Sequence, residues 1–189
     1  AVSTRDPAAA GIGRTIPDLR AATLAGDRLS LDGLLKDRRA LVIAMTGAGC
    51  PVSRGYAPRL AALEAAYAPK GVAFLYVAAV DAETTTEVRD FAREFGIRGP
   101  IAIDPGGELR RGLRARTTTE VFVLTPGRVL RYRGAVDDQY RVGGVQDRVR
   151  EPYLRDALDA LLLGHAPPTE ATSAPGCLLD LPHEPRPTP

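Results

Sequence analysis

The chain has 189 residues, 44% apolar and 25% charged, with a formal net charge of +2 at pH 7. Such a length supports one domain with a sizeable core plus tails, and the near-neutral balance gives no drive toward nucleic acid or an anionic membrane. No apolar run reaches the roughly 18 residues of a membrane span, and two cysteines with a single His nearby make no zinc constellation.

Residues 1–15 are small and polar and read as a loose arm. Ala1-Val2-Ser3-Thr4 suits a chain whose secretory leader has been removed, which points to a periplasmic or exported protein; a cytoplasmic location also fits. Ile16–Leu19 and Leu29–Leu31 flank Ala25-Gly26-Asp27 and read as two short strands with a turn. Asp32–Leu35 reads as a helical turn. Ala40–Met45 is a continuous apolar run, expected of a strand covered on both faces.

Beyond Cys50 the period changes. Tyr56, Leu60, Leu63 and Tyr67 share one helical face over residues 51–68. Pro51 suits the first turn of that helix, and Pro58 should bend it. Val72–Val77 is the next strand. Residues 84–95 form a helix with Val88, Phe91 and Phe95 inward and Gly96 as its C-cap. Ile101–Asp104 is a short strand, and Glu108–Leu113 is a helical turn. Glu120–Leu124 and Val129–Arg133 form a hairpin around Thr125–Arg128. A last helix opens at Pro152, with Leu154, Leu158, Leu161 and Leu162 inward and Gly164 as its stop. Residues 166–189 are Pro-rich and read as an extended tail without a core of its own.

Cys50 stands where the buried strand turns through Gly47-Ala48-Gly49 into a helix. A helix N-terminus favours negative charge, and the thiolate is the reactive form of sulfur. An inert buried cysteine is the plainer alternative. The other thiol, Cys177, lies in the tail. An extended tail reaches on the order of 40 Å, so Cys177 can pair with Cys50 within one chain or between two copies in a homodimer. It can equally stand unpaired.

The parallel strand–helix order with Cys50 after its first strand resembles the thioredoxin fold. The likeness is closest to the redoxin branch, the alkyl hydroperoxide reductase and thiol-specific antioxidant (peroxiredoxin-like) family. It covers roughly residues 15–163 and rests on Thr46-Gly47-Ala48-Gly49-Cys50-Pro51-Val52-Ser53, Pro58, Thr117-Thr118-Thr119-Glu120 and Gly127–Gly134. It implies an α/β fold with a central mixed sheet flanked by helices, an N-terminal hairpin, a domain over 16–165 and a tail over 166–189. It also implies thiol–disulfide exchange or peroxide reduction at Cys50, without a cofactor.

Three departures stand beside these matches. Ser53 holds the place of a thioredoxin's second cysteine. Thr119 aligns with its active-site proline. Thr46 lies four residues before Cys50 rather than three. The resemblance assigns the site to Cys50, Thr46, Ser53, Thr119 and Arg116; Cys177, as the other thiol, is the candidate resolving sulfur. Arg114 is a second candidate for the arginine beside the thiolate, and Asp137 and Asp138 should line the same mouth. The partners implied are a peroxide or a protein thiol or disulfide. A second reading is a redoxin domain that has lost turnover and binds a partner or copper, possibly inside a larger electron-transfer protein. Cys50, Cys177 and His183 are the residues that could hold Cu(I), although the helix lacks the usual second cysteine.

Overall fold

A computed structural model describes residues 2–141 and 144–179. The first part of the chain forms α1 (Pro7–Ala10), β1 (Arg20–Thr23), β2 (Arg28–Ser30), α2 (Leu31–Leu35), β3 (Ala40–Thr46), α3 (Pro51–Tyr67) and β4 (Val72–Ala78). It continues through α4 (Thr85–Phe95), β5 (Ile101–Ile103), α5 (Glu108–Leu113), β6 (Val121–Thr125) and β7 (Val129–Gly134). The small pair β8 (Tyr140–Arg141) and β9 (Gly144–Val145) precedes α6 (Tyr153–Leu162).

Seven strands make one mixed sheet in the order β2-β1-β5-β4-β3-β6-β7. Strands β3, β4 and β5 run parallel, while β6 pairs antiparallel with β3 and with β7. This is the thioredoxin-like fold with its mixed central sheet. β3 is buried along its whole length, which is why its sequence is apolar without alternation. Leu41, Ile43 and Met45 face a core closed by Leu31 and Leu35 of α2 and by Leu109 and Leu113 of α5. Ala40, Val42 and Ala44 face the opposite core, closed by Tyr56, Leu60 and Tyr67 of α3 and by Leu154, Ala157 and Leu158 of α6. Burying each larger side chain here contributes about 1.5–3 kcal/mol. α3 runs unbroken through Pro58. α4 carries a capping box between Thr84 and Glu87 and stops at Gly96 in the left-handed region.

The N-terminal hairpin lies later than expected. Ile16–Leu19 is not a strand, and Leu31 opens α2 instead of ending β2. Ser30 is the reason: its hydroxyl accepts from Gly33 N–H and caps the helix at that point.

Neither terminal segment is loose where it is described. Residues 7–10 form α1, capped by Asp6. Gly13 N–H donates to Leu130 O at 2.8 Å and Ile16 N–H to Arg128 O at 2.9 Å, along the free edge of β7. Farther along that edge, Thr172 N–H donates to Arg133 O at 3.0 Å and Arg133 N–H to Glu170 O at 3.1 Å. The two ends also join each other: Arg5 N–H reaches Ala171 O at 2.9 Å, and Thr4 bridges Thr172. Ala171 and Thr172 are fully buried. Gly134, at φ 147°, lets the tail lie this close, because a Cβ there would stand 2.8 Å from Thr172 N and 2.9 Å from Thr172 O.

Candidate active site

Three distant stretches of chain meet at Cys50. The first is the turn from β3 into α3. Cys50 N–H donates to Gly47 O at 3.1 Å, which closes the turn, and Gly47 N–H donates to Ser53 Oγ at 3.0 Å. Cys50 is the N-cap of α3, with extended backbone angles (φ −83°, ψ 119°), and Pro51 opens the helix. Gly47 is tightly enclosed: a Cβ there would lie 3.1 Å from Thr118, 3.2 Å from Val80 and 3.3 Å from the Cys50 Cβ, so its neighbours would have to give way.

The second stretch is the loop before β6. Thr118 Oγ1 stands 3.1 Å from the Cys50 sulfur and donates to it. The buried pair Arg133–Glu120 holds this loop, with nitrogen–oxygen distances of 2.6 and 2.9 Å. Glu120 also accepts from Arg116 N–H at 2.8 Å, and Arg133 reaches Arg114 O at 2.9 Å.

The third stretch is the tail. It crosses the loop antiparallel, with Thr118 N–H donating to Cys177 O at 3.0 Å and Leu179 N–H to Arg116 O at 2.9 Å. Cys177 N–H donates to Thr118 Oγ1 at 3.1 Å. Because that oxygen accepts from the tail, its own proton is free to point at Cys50. The two cysteines are free thiols whose sulfurs lie 2.7 Å apart. Cys50 is 4% exposed, whereas Cys177 is on the surface.

The two thiols are shifted in opposite directions. Burial pushes the Cys50 thiol up, but hydrogen bonds from Cys177 Sγ, Thr118 Oγ1 and the N–H groups of Ser53 and Cys177 outweigh it, and the net shift is downward. The helix turn makes no full cap bond to the sulfur, so the Thr118 and Cys177 contacts carry most of this effect. Cys177 is raised, first by its hydrogen bond to Cys50, then by burial and by the Cys50 charge. One sulfur is thus favoured as thiolate while the other holds the proton.

Several residues expected at the site do other work. Thr46 is buried and donates to Val77 O at 2.9 Å, tying β3 to β4. Ser53 lies in the first turn of α3 and fixes Gly47. Thr119 donates to Pro175 O and so holds the tail; the neighbour that touches the sulfur is Thr118. Arg114 and Arg116 are exposed, and among the described residues neither side chain bonds the thiol. Arg114 sits in the left-handed region at φ 53° as the C-cap of α5, and its carbonyl, not its side chain, is what Arg133 holds.

Asp137 and Asp138 do not line the thiol mouth. Asp137 is 1% exposed, pairs with Arg59 of α3 and accepts from Gln139 N–H at 2.9 Å. Asp138 accepts from Arg150 N–H at 2.9 Å and Glu151 N–H at 3.1 Å, which ties residues 150 and 151 to residue 138. Burial raises its carboxyl, and those N–H bonds more than reverse the shift. Beside Asp137 a cavity of about 380 Å³ is lined by Arg59, Leu63, Val136, Arg150 and Arg155. Among the described residues no three His, Cys, Asp or Glu side chains cluster as metal ligands; His183 lies outside them.

No curated protein matches the chain. A protein-family model described as Redoxin matches residues 12–147. Among solved structures, an uncharacterized conserved protein from Geobacillus kaustophilus is 25% identical, with a TM-score of 0.80 over 90% of this chain and 92% of that one. A hypothetical protein from Sinorhizobium meliloti 1021 is 28% identical, also at 0.80, over 89% and 93%. A secreted Mycobacterium tuberculosis disulfide oxidoreductase homologous to E. coli DsbE shares the fold at 17% identity, with a TM-score of 0.53 over 60% and 80%.

Proposed function

Because this chain belongs to the Redoxin family, we propose that it is a thiol–disulfide oxidoreductase with Cys50 as the attacking sulfur and Cys177 as the resolving one. The observation that carries this reading is the pair of free sulfurs 2.7 Å apart, with Thr118 donating to the one on α3. In the cycle, the Cys50 thiolate attacks a partner disulfide and one partner sulfur leaves as thiolate. Cys177, once deprotonated, attacks Cys50, and the second partner sulfur leaves. The partner disulfide is reduced by two electrons, and Cys50 and Cys177 end as a disulfide that another dithiol must reduce.

Exchange with a protein disulfide fits the site better than peroxide reduction. Arg114 and Arg116 face solvent and Thr46 is committed to Val77, so among the described residues no arginine–threonine cradle for a peroxide surrounds the sulfur. An exported location suits a chain whose working state includes a disulfide.

The test is to mix the reduced protein with an excess of an aromatic disulfide that releases a coloured thiolate. Two equivalents should appear, with peptide mapping locating a Cys50–Cys177 bond; Cys177→Ser should release one and leave Cys50 as a stable mixed disulfide. Wild-type protein that stays a mixed disulfide at Cys50, or that reduces hydrogen peroxide faster than it reduces disulfides, would sink the reading.

A further inference from the structure

The cavity of about 380 Å³ opens beside the middle of α3, away from the thiols. Arg59 on its wall stands roughly 13 Å along the helix from Cys50. Three stretches of chain enclose it: α3, the segment after β7 and the segment that leads into α6. They are tied to one another. Tyr56 OH donates to Asp137 O at 3.0 Å, Leu154 N–H to Val136 O at 3.0 Å and Arg150 N–H to Asp138 Oδ1 at 2.9 Å. The walls are thus braced by bonds that need no occupant, as in most small-molecule sites.

The lining combines two chemistries. Leu63, Val136 and Val149 supply an apolar floor, and Arg59, Arg150 and Arg155 supply cations. Arg59 is spent: it pairs with Asp137 and donates to Gln139 at 2.7 Å. Arg150 and Arg155 are not. Among the described residues no side chain bonds the Arg150 guanidinium, and Arg155 has only Asp156 at 4.0 Å, beyond hydrogen-bond reach. Nearby acids are committed elsewhere, Asp138 to the N–H groups of Arg150 and Glu151, and Asp159 to Tyr67 OH at 2.6 Å. α6 also begins at this wall, at Pro152, with no side-chain cap, so the partial positive charge of its N-terminus adds to the field.

We propose that this cavity binds a small organic carboxylate, its head on Arg150 and Arg155 and its hydrocarbon body on Leu63, Val136 and Val149. Guanidinium and carboxylate match as planar forks. The volume falls at the low end of small-molecule sites. Asp137 already places one negative charge in the wall, which favours a monoanion over a dianion such as phosphate. The apolar floor gives the ligand's body a reason to leave water that a bare ion lacks. The site makes no use of the thiols, so it stands whether or not Cys177 resolves Cys50.

Titration calorimetry on the full reduced chain, with octanoate as the probe, tests this. One octanoate should bind per chain, about tenfold or more tighter than acetate, because its extra methylenes find apolar surface. Octanamide, the same chain without the charge, should bind about tenfold or more weakly than octanoate. Arg150→Gln and Arg155→Gln should each weaken octanoate by about tenfold, the loss of a hydrogen bond between charged groups. Both side chains are exposed, so the fold should persist, as circular dichroism checks. Arg89→Gln, exposed on α4, is the control and should change nothing. The proposal is overturned if octanoate does not saturate in the millimolar range, if either cavity variant binds it as wild type does, or if acetate, octanamide or inorganic phosphate binds as tightly.

Discussion

Helix α3 carries two polar clusters of opposite character, one at its N-terminus and one at its middle. At its N-terminus, Cys50, Thr118 and Cys177 come from three parts of the chain, and their hydrogen bonds end on a sulfur that can change charge. Farther along the helix, Arg59 meets Asp137 and Gln139, and Asp137 accepts in turn from Gln139 N–H. The second cluster is closed: its charges neutralise each other and its acceptors are filled. The first has capacity left over, in a sulfur favoured as thiolate. Burial alone does not separate a reactive cluster from a structural one; unspent bonding capacity does.

Mutation can break or sharpen this contrast. The largest effect belongs to Cys50→Ser, which should abolish reduction of a disulfide substrate while the fold persists, as checked by turnover and circular dichroism. Next is Cys177→Ser. An oxidised wild-type chain closed between residues 50 and 177 should exceed the variant in stability by about 5 kcal/mol in the chain-entropy view, measured by denaturant unfolding with and without reductant. Asp137→Ala should lower stability by about 2 kcal/mol, the loss of hydrogen bonds to a charged group, and leave the alkylation rate of Cys50 alone. If alkylation slows as well, the two clusters are coupled and the contrast fails.

Thr118→Val should act the other way, on chemistry more than on stability. A hydroxyl donating to the thiolate favours the charged form, so its removal raises the Cys50 pKa. About 1 kcal/mol of hydrogen bonding corresponds to roughly 0.7 of a pH unit. The alkylation profile of Cys50 should therefore move to higher pH by that amount. In wild-type protein it should rise at lower pH than that of an ordinary thiol, because Cys50 is shifted down. A profile unchanged by the loss of the hydroxyl would leave Cys177 as the main support of the thiolate.

The legible parts of this molecule were those with a local period. β3 announces itself by an unbroken apolar run, α3 by Tyr56, Leu60 and Tyr67, and the turn between them by Gly47 and Gly49. The tail carries no such signal. Its placement comes from backbone hydrogen bonds to residues 116–118 and 133, which side-chain identity does not encode. Thr117, Thr118 and Thr119 are identical as residues, and only the path of the loop decides that the middle one meets the sulfur. Arg114 and Arg116 lie close to the site in sequence, but the left-handed bend at Arg114 leaves both side chains in solvent.

The anchoring of Ala171 and Thr172 along the free edge of β7 also has a kinetic meaning. An unanchored tail would let Cys177 explore tens of ångströms and meet another molecule's Cys50 as readily as its own. Here only Ser173, Ala174, Pro175 and Gly176 separate the thiol from the buried anchor, a leash of roughly 15 Å. So short a tether concentrates the second sulfur around the first at an effective molarity that no free thiol in solution matches. Disulfide closure in this chain should accordingly proceed at a rate indifferent to protein concentration.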